Sequence, residues 1–190
     1  QQEMGLSLTR DGFLAHKDKG VEEFKVESTT SSPSTVYLLE VFYTDAQGRP
    51  MNHQFIDNGQ DRIHQHFFRR YTERVLGGKA RIYPINKLEE LGYDYRYADI
   101  TPWDKPYTSP ESRFTGVSNP MGFKGLIRFT EADLRFHLTI LLMHAHEPKY
   151  RIEPKTQRSL FMPFYNNDAF TLSQEADISI DVPITVDKGS

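Results

Sequence analysis

The 190 residues contain no cysteine. Disulfides, thiolate zinc sites and thiol nucleophiles are therefore excluded from the chemistry open to the chain. The compartment stays open, because cytosolic and exported proteins can both lack cysteine. No apolar run approaches the roughly 20 residues that a membrane-spanning helix requires, so no membrane span is expected. Clustered positive charge is also scarce. Lys and Arg number 23 against 26 Asp and Glu, for a net charge of −3, and only Arg69-Arg70 stand together among otherwise scattered cations. Phosphate backbones are gripped by clustered cations, so nucleic acid is not an expected partner. There is no glycine-rich phosphate loop and no nucleophile elbow. Tryptophan occurs once, as Trp103.

Aromatics fill part of what is missing. Hydrophobic residues make up 37% of the chain, but 13 Phe and 10 Tyr raise the aromatic share to 13%. Each large ring buries about 150–250 Å², so a modest number can fill a core. The length suits one domain over residues 1–190, with no linker separating two complete cores. The first residues are Gln1-Gln2-Glu3, without Met. Such a start suits removal of a signal peptide and sets the expectation of an exported, periplasmic or extracellular protein, a cytoplasmic one being the alternative.

The strongest pattern lies at 134–147. Leu134, Phe136, Leu138, Ile140 and Leu142 recur every second residue, and Leu141 and Met143 add apolar residues on the other face. Period two is the strand signal, and two apolar faces mark a central strand. Val36 to Tyr43 looks like a second buried strand. Leu126 to Phe129 is expected to form a hairpin with the central strand. Tyr93, Tyr95 and Tyr97 alternate with Asp94 and Arg96. Ile178 to Val186 alternates to the end, and Pro183, which has no N–H for a ladder, puts that strand at an edge or a bulge. Short strands are also expected at 160–165 and 169–172. Ile63, Phe67, Tyr71 and Val75 repeat every fourth residue, with Gly77-Gly78 following. This predicts one amphipathic helix over about 60–76. The fold expected is mainly β, an antiparallel sandwich or barrel-like form with that accessory helix. The alternative is an α+β layer, with the helix lying on an antiparallel sheet. Residues 100–125 hold four prolines, Trp103 and Tyr107. Loops this long are uncommon unless they have a function.

Chemistry has two candidate locations. His144 and His146 end the central strand two residues apart, so while the strand lasts both rings share a face and could hold one metal ion. A third ligand would have to come from His53, Glu153 or Asp168; His137 falls on the opposite face. His64 and His66, read on a helix, diverge by about 200° and do not chelate together. The second location is aromatic. Trp103 and Tyr107 with the ladder of Tyr93, Tyr95 and Tyr97 could present a platform to a protein partner or a sugar. Asp94, Asp99, Asp104, Glu89 and Glu90 are explained by turns and caps. Taken together, the residues lead to an expectation of a non-enzymatic binding or structural accessory protein, of the kind found in cell-envelope or secretion-type assemblies. It would work through a protein partner or self-association, using its aromatic loop and edge strands, and needs no cofactor. The alternatives are a metal-dependent enzyme using His144 and His146, and a carbohydrate-binding module using Trp103 and the tyrosines.

Overall fold

A computed structural model describes residues 1–11, 14–149, 155, 164–168, 171 and 174–188. Its strands, in chain order, are β1 (Met4–Leu8), β2 (Leu14–Gly20), β3 (Phe24–Val26), β4 (Tyr37–Glu40), β5 (His64–Arg69), β6 (Tyr71–Leu76) and β7 (Lys79–Pro84). They continue with β8 (Tyr93–Tyr97), β9 (Ile100–Thr101), β10 (Arg113–Phe114), β11 (Lys124–Phe129), β12 (Arg135–His144) and β13 (Glu175–Val186). The fold is mainly β, with several antiparallel sheets and no closed barrel. A four-stranded sheet in the order β3-β13-β12-β5 faces a three-stranded sheet in the order β4-β11-β8.

The expected central strand is β12. It pairs along β13 from Arg135 to His144 and along β5 from Thr139 to His144, and it is buried over most of its length. Its even-numbered apolar residues meet the even-numbered ones of β13 and the odd-numbered tyrosines of β8 in one core. The two layers lock through rings. Phe68 stacks on Tyr95 at 3.9 Å, and Tyr93 stacks on Phe136 at 5.7 Å. Burying a side chain such as Phe68 contributes about 1.5–3 kcal/mol, so this aromatic seam carries much of the layer contact. Gly125 makes the seam possible. The Tyr95 hydroxyl lies 2.0 Å from where a β-carbon on residue 125 would stand.

The helix expected over 60–76 is not formed. Residues 64–69 and 71–76 are β5 and β6, and before them Asn52–Phe55 and Asp57–Arg62 wind as short 3-10 turns. A period of four is also even, so the same residues satisfy strand alternation. Gly77-Gly78 was expected to end a helix. Both have positive φ, 58° and 76°, the backbone of a tight two-residue hairpin turn joining β6 to β7. Three further expectations are corrected. β11 and β12 do not form a hairpin; Thr130 to Leu134 instead crosses between layers, with Asp133 at φ 53°. β4 is an edge strand with Leu38 outward, not a strand covered on both faces. β13 lies inside its sheet, but β3 pairs with it only from Ile184 to Val186, so at Pro183 that side is still an edge. The strands expected at 160–165 and 169–172 fall largely outside the described residues.

Two details show how edges are handled. The amide of Gln2 donates to Lys25 O and accepts from Lys25 N, standing in for a neighbouring strand beside β3. The long stretch at 100–125 is built, not loose: β9 pairs with β10, and Asp99 at its root accepts from the backbone N–H groups of Met121, Gly122, Phe123 and Lys124.

Candidate functional site

Side chains able to hold a metal converge at one end of the four-stranded sheet. His64 opens β5, and His144 closes β12 directly opposite it. Their rings lie 4.5 Å apart, centroid to centroid. The third member is Asp177 of β13. Its carboxylate Oδ2 is 3.2 Å from His64 Nε2 and 3.4 Å from His144 Nδ1. One ligand atom from each of the three residues falls within 4.8 Å of the others. Two donors bound to one tetrahedral zinc at about 2.0–2.1 Å stand about 3.3 Å apart, so the oxygen-to-nitrogen distances already match.

Asp177 reaches the site because of a bulge. The β12–β13 register slips between Leu142 and Met143, where Ile178 and Ala176 are the partners and Asp177 is the extra residue. Strict alternation would put Asp177 on the face of Ser179 and Asp181. A bulge re-aims its extra residue, here toward the two histidines.

His64 is fixed from several sides. Its Nδ1 lies 2.9 Å from Gln60 O, a carbonyl presented by the 3-10 turn at Asp57–Arg62. Asn58 and Gly59, at φ 58° and 79°, give that turn its shape. The Phe55 ring meets the imidazole edge-on at 5.4 Å, and Tyr43 in turn packs on Phe55. Asn52 holds this wall by accepting from Tyr43 N and donating to Val41 O. From beneath, Lys149 Nζ donates to His64 O at 2.8 Å and also to Pro120 O. Burial pushes the Lys149 amine down to about 7. The His64 side chain is 4% exposed, against 43% for His144 and 36% for Asp177, so the cluster opens outward through the last two.

The hydrogen bonding within this cluster has two solutions. Nδ1 of His64 faces a carbonyl and carries a proton, because a carbonyl only accepts. Nε2, facing the Asp177 oxygen, then either carries a second proton, as an imidazolium paired with the carboxylate, or offers its lone pair to a cation held between them. Histidine metal ligands commonly donate their second N–H to a backbone carbonyl in just this way. Two imidazoles and one carboxylate, with positions left over, suit a first-row transition dication such as zinc or ferrous iron.

His66, two residues on, does different work. Its Nδ1 donates to Met121 O at 2.7 Å and its Nε2 accepts from the Tyr43 hydroxyl at 2.8 Å. Burial lowers its pKa to about 4, so it is a neutral structural imidazole. His146 lies past the end of β12, exposed, with its N–H bonded to Gln174. It is not in the cluster with His144. His53 and His137 are exposed elsewhere, Asp168 pairs with Arg69, and Glu153 lies outside the described residues.

The aromatic candidates separate. Tyr93 and Tyr95 are core residues, 1% and 3% exposed, and Tyr97 is bonded to His66 O, so the ladder faces inward and offers no platform. Tyr107 bonds to Ala98 O, and Trp103 packs on Phe123 at 6.0 Å. Trp103 lines a cleft of about 520 Å³ with Ile56, Asp57, Asp61, Asp104 and Met121.

The helix expected over 60–76 would turn the His64 ring away from β12, which hides its meeting with His144. Read as a strand, the His-Gln-His run would have placed it for cross-strand pairing. Asp177 left no signal except the break in alternation just before Ile178. No protein-family model, curated protein or solved structure matches the chain.

Proposed function

We propose that this chain is an exported binding protein of accessory type whose functional centre is a transition-metal ion held by His64, His144 and Asp177. The observation that carries the metal is the convergence of one ligand atom each from His64, His144 and Asp177 within 4.8 Å of one another, with the other nitrogen of His64 committed to Gln60 O. The mainly-β scaffold supports a binding role: it supplies rigid strands at three points and an outward opening. In that role the free coordination positions accept a donor from a partner.

Cobalt(II) titration tests the metal. A 2-His-1-carboxylate site gives ligand-field absorption that saturates at one equivalent, and the band disappears in Asp177→Ala. A proton in place of the metal predicts no band at any cobalt concentration. Fractionation of the native host tests export; recovery with cytoplasmic markers would overturn that part.

A second reading is favoured by the same opening. Three protein ligands are the usual number for a catalytic zinc, the fourth place being kept for water or substrate. The metal-dependent enzyme that was the alternative from sequence, using His144 and His146, is thus kept with a changed ligand set, His64 and Asp177 joining His144 in place of His146. Turnover of ester or phosphoester substrates that follows metal content would decide for it.

A further inference from the structure

The hairpin of β6 and β7 projects from the sandwich, and its surroundings do not explain it. Within the described residues it pairs only with itself. An isolated two-stranded hairpin is marginal in water. This one exposes Val75 at 67% and Ile82 at 71%, with Leu76 also outward near the tip. Alternation divides it into two faces. Glu73, Val75, Ala80 and Ile82 share one face, and Arg74, Leu76, Lys79, Arg81 and Tyr83 share the other. On the second face Arg74 stands directly opposite Arg81. Like charges in register on neighbouring strands destabilise a hairpin. Neither arginine, nor Lys79, has an ion-pair partner among the described residues.

The Trp103 cleft has the opposite character. Asp57 and Asp104 are exposed at it and have no ion-pair partner among the described residues, and Asp61 accepts from the Asn119 amide and lies within the field of the buried Lys149 amine. Its walls are apolar, from Ile56, Pro102, Trp103, Met121 and Phe123. A cationic arm with an apolar tip and an acidic cleft with apolar walls are complementary. Gly77 and Gly78 keep the tip slim, with open space around both.

We infer that the β6–β7 arm of one copy docks in the Trp103 cleft of a second copy, joining chains head to tail. Arg74, Lys79 and Arg81 meet Asp57, Asp61 and Asp104, and Leu76 is covered by the cleft walls. An interface between two different patches on identical chains is heterologous, so it propagates into a ring or a filament. The contact is electrostatic at its rim, and salt weakens it. The cleft shares the Asp57–Arg62 turn with the metal centre, so the test is run with a chelator present and its outcome does not depend on that reading.

Sedimentation velocity over a concentration series is the test. Wild type is expected to sediment faster as concentration rises at low salt, and less so at high salt. Arg74→Glu with Arg81→Glu, and separately Asp57→Lys with Asp104→Lys, each weaken association at least tenfold. Mixing the two double variants restores it, because each then offers the surface the other needs. All four positions are exposed; circular dichroism checks the fold, and single reversals at Arg81 and Asp104 replace any double variant that does not fold. A wild type that stays monomeric throughout, association that survives the arm reversal, or a mixture that stays dissociated would overturn the inference. So would a monomer whose arm instead binds phosphatidylserine vesicles.

Discussion

At the scale of single residues, the least comfortable groups are the most informative. The Tyr95 hydroxyl is buried above Gly125 without a hydrogen-bond partner among the described residues. An unpaired buried hydroxyl costs about 1–3 kcal/mol. Tyr95→Phe is therefore expected to be neutral or stabilising in chemical denaturation. Gly125→Ala drives a methyl into that ring and is expected to destabilise by about 1–3 kcal/mol, the usual range for overpacking. His66 and Lys149 both contribute to the pH response. Both have depressed values in the fold, about 4 against an ordinary 6.5, and about 7 against 10.5. In each case the unfolded chain binds the proton first as pH falls, so acidification favours unfolding. The His66 contribution is present above pH 6.5 and is lost down to about 4, a change of about 3 kcal/mol at 1.36 kcal/mol per unit. The Lys149 contribution is present above 10.5 and fades down to about 7. Urea unfolding across this range should show stability rising in both windows, with Lys149→Met flattening the alkaline one. Sequence pointed to histidine as the candidate metal-binding residue type; which histidines converge was not legible, because that depended on whether 60–76 is helix or strand.

At the scale of elements, that choice was the stretch from Ile63 to Val75. Every fourth residue is apolar in both a helix and a strand, so periodicity could not decide. Gly77-Gly78 fits either a helix end or a tight hairpin. Only the structure decides it: all six residues of β5 are buried, whereas a surface helix would expose half of them. β12 was legible because its alternation is long and unbroken. The neighbours of β12 were not, since pairing across a sandwich leaves no local trace; its expected hairpin partner lies in the other layer. β5 is held at its far end by Arg69, fully buried, donating to Asp168 at 2.9 Å, Asn86 at 3.1 Å and Thr171 at 3.2 Å. Asp168 is 28% exposed, so a carboxylate left alone there keeps part of its hydration. Hydrogen bonds to a charged group contribute about 1.5–3 kcal/mol. Arg69→Met is expected to lose about that much in equilibrium unfolding, and a loss under 1 kcal/mol would show that these bonds contribute little.

At the scale of the molecule, the two layers bring together residues that are far apart in sequence. His64, His144 and Asp177 meet only because β5, β12 and β13 are neighbours and β13 carries its bulge at the right height. The mainly-β class could be anticipated from alternation and aromatic content, but this meeting point could not, since strand order is absent from any local pattern. The same architecture turns the tyrosines of β8 inward, where they serve packing, and leaves Trp103 at a cleft. Zinc affinity, measured by competition with a chromophoric chelator in wild type and in His64→Ala, His144→Ala, Asp177→Ala and His146→Ala, tests this architecture most directly. One tightly held ion per chain is predicted, weakened at least a hundredfold by each of the first three substitutions and unchanged by the fourth. Absence of zinc binding in the wild type, or a loss in His146→Ala as large as in His64→Ala, would contradict it.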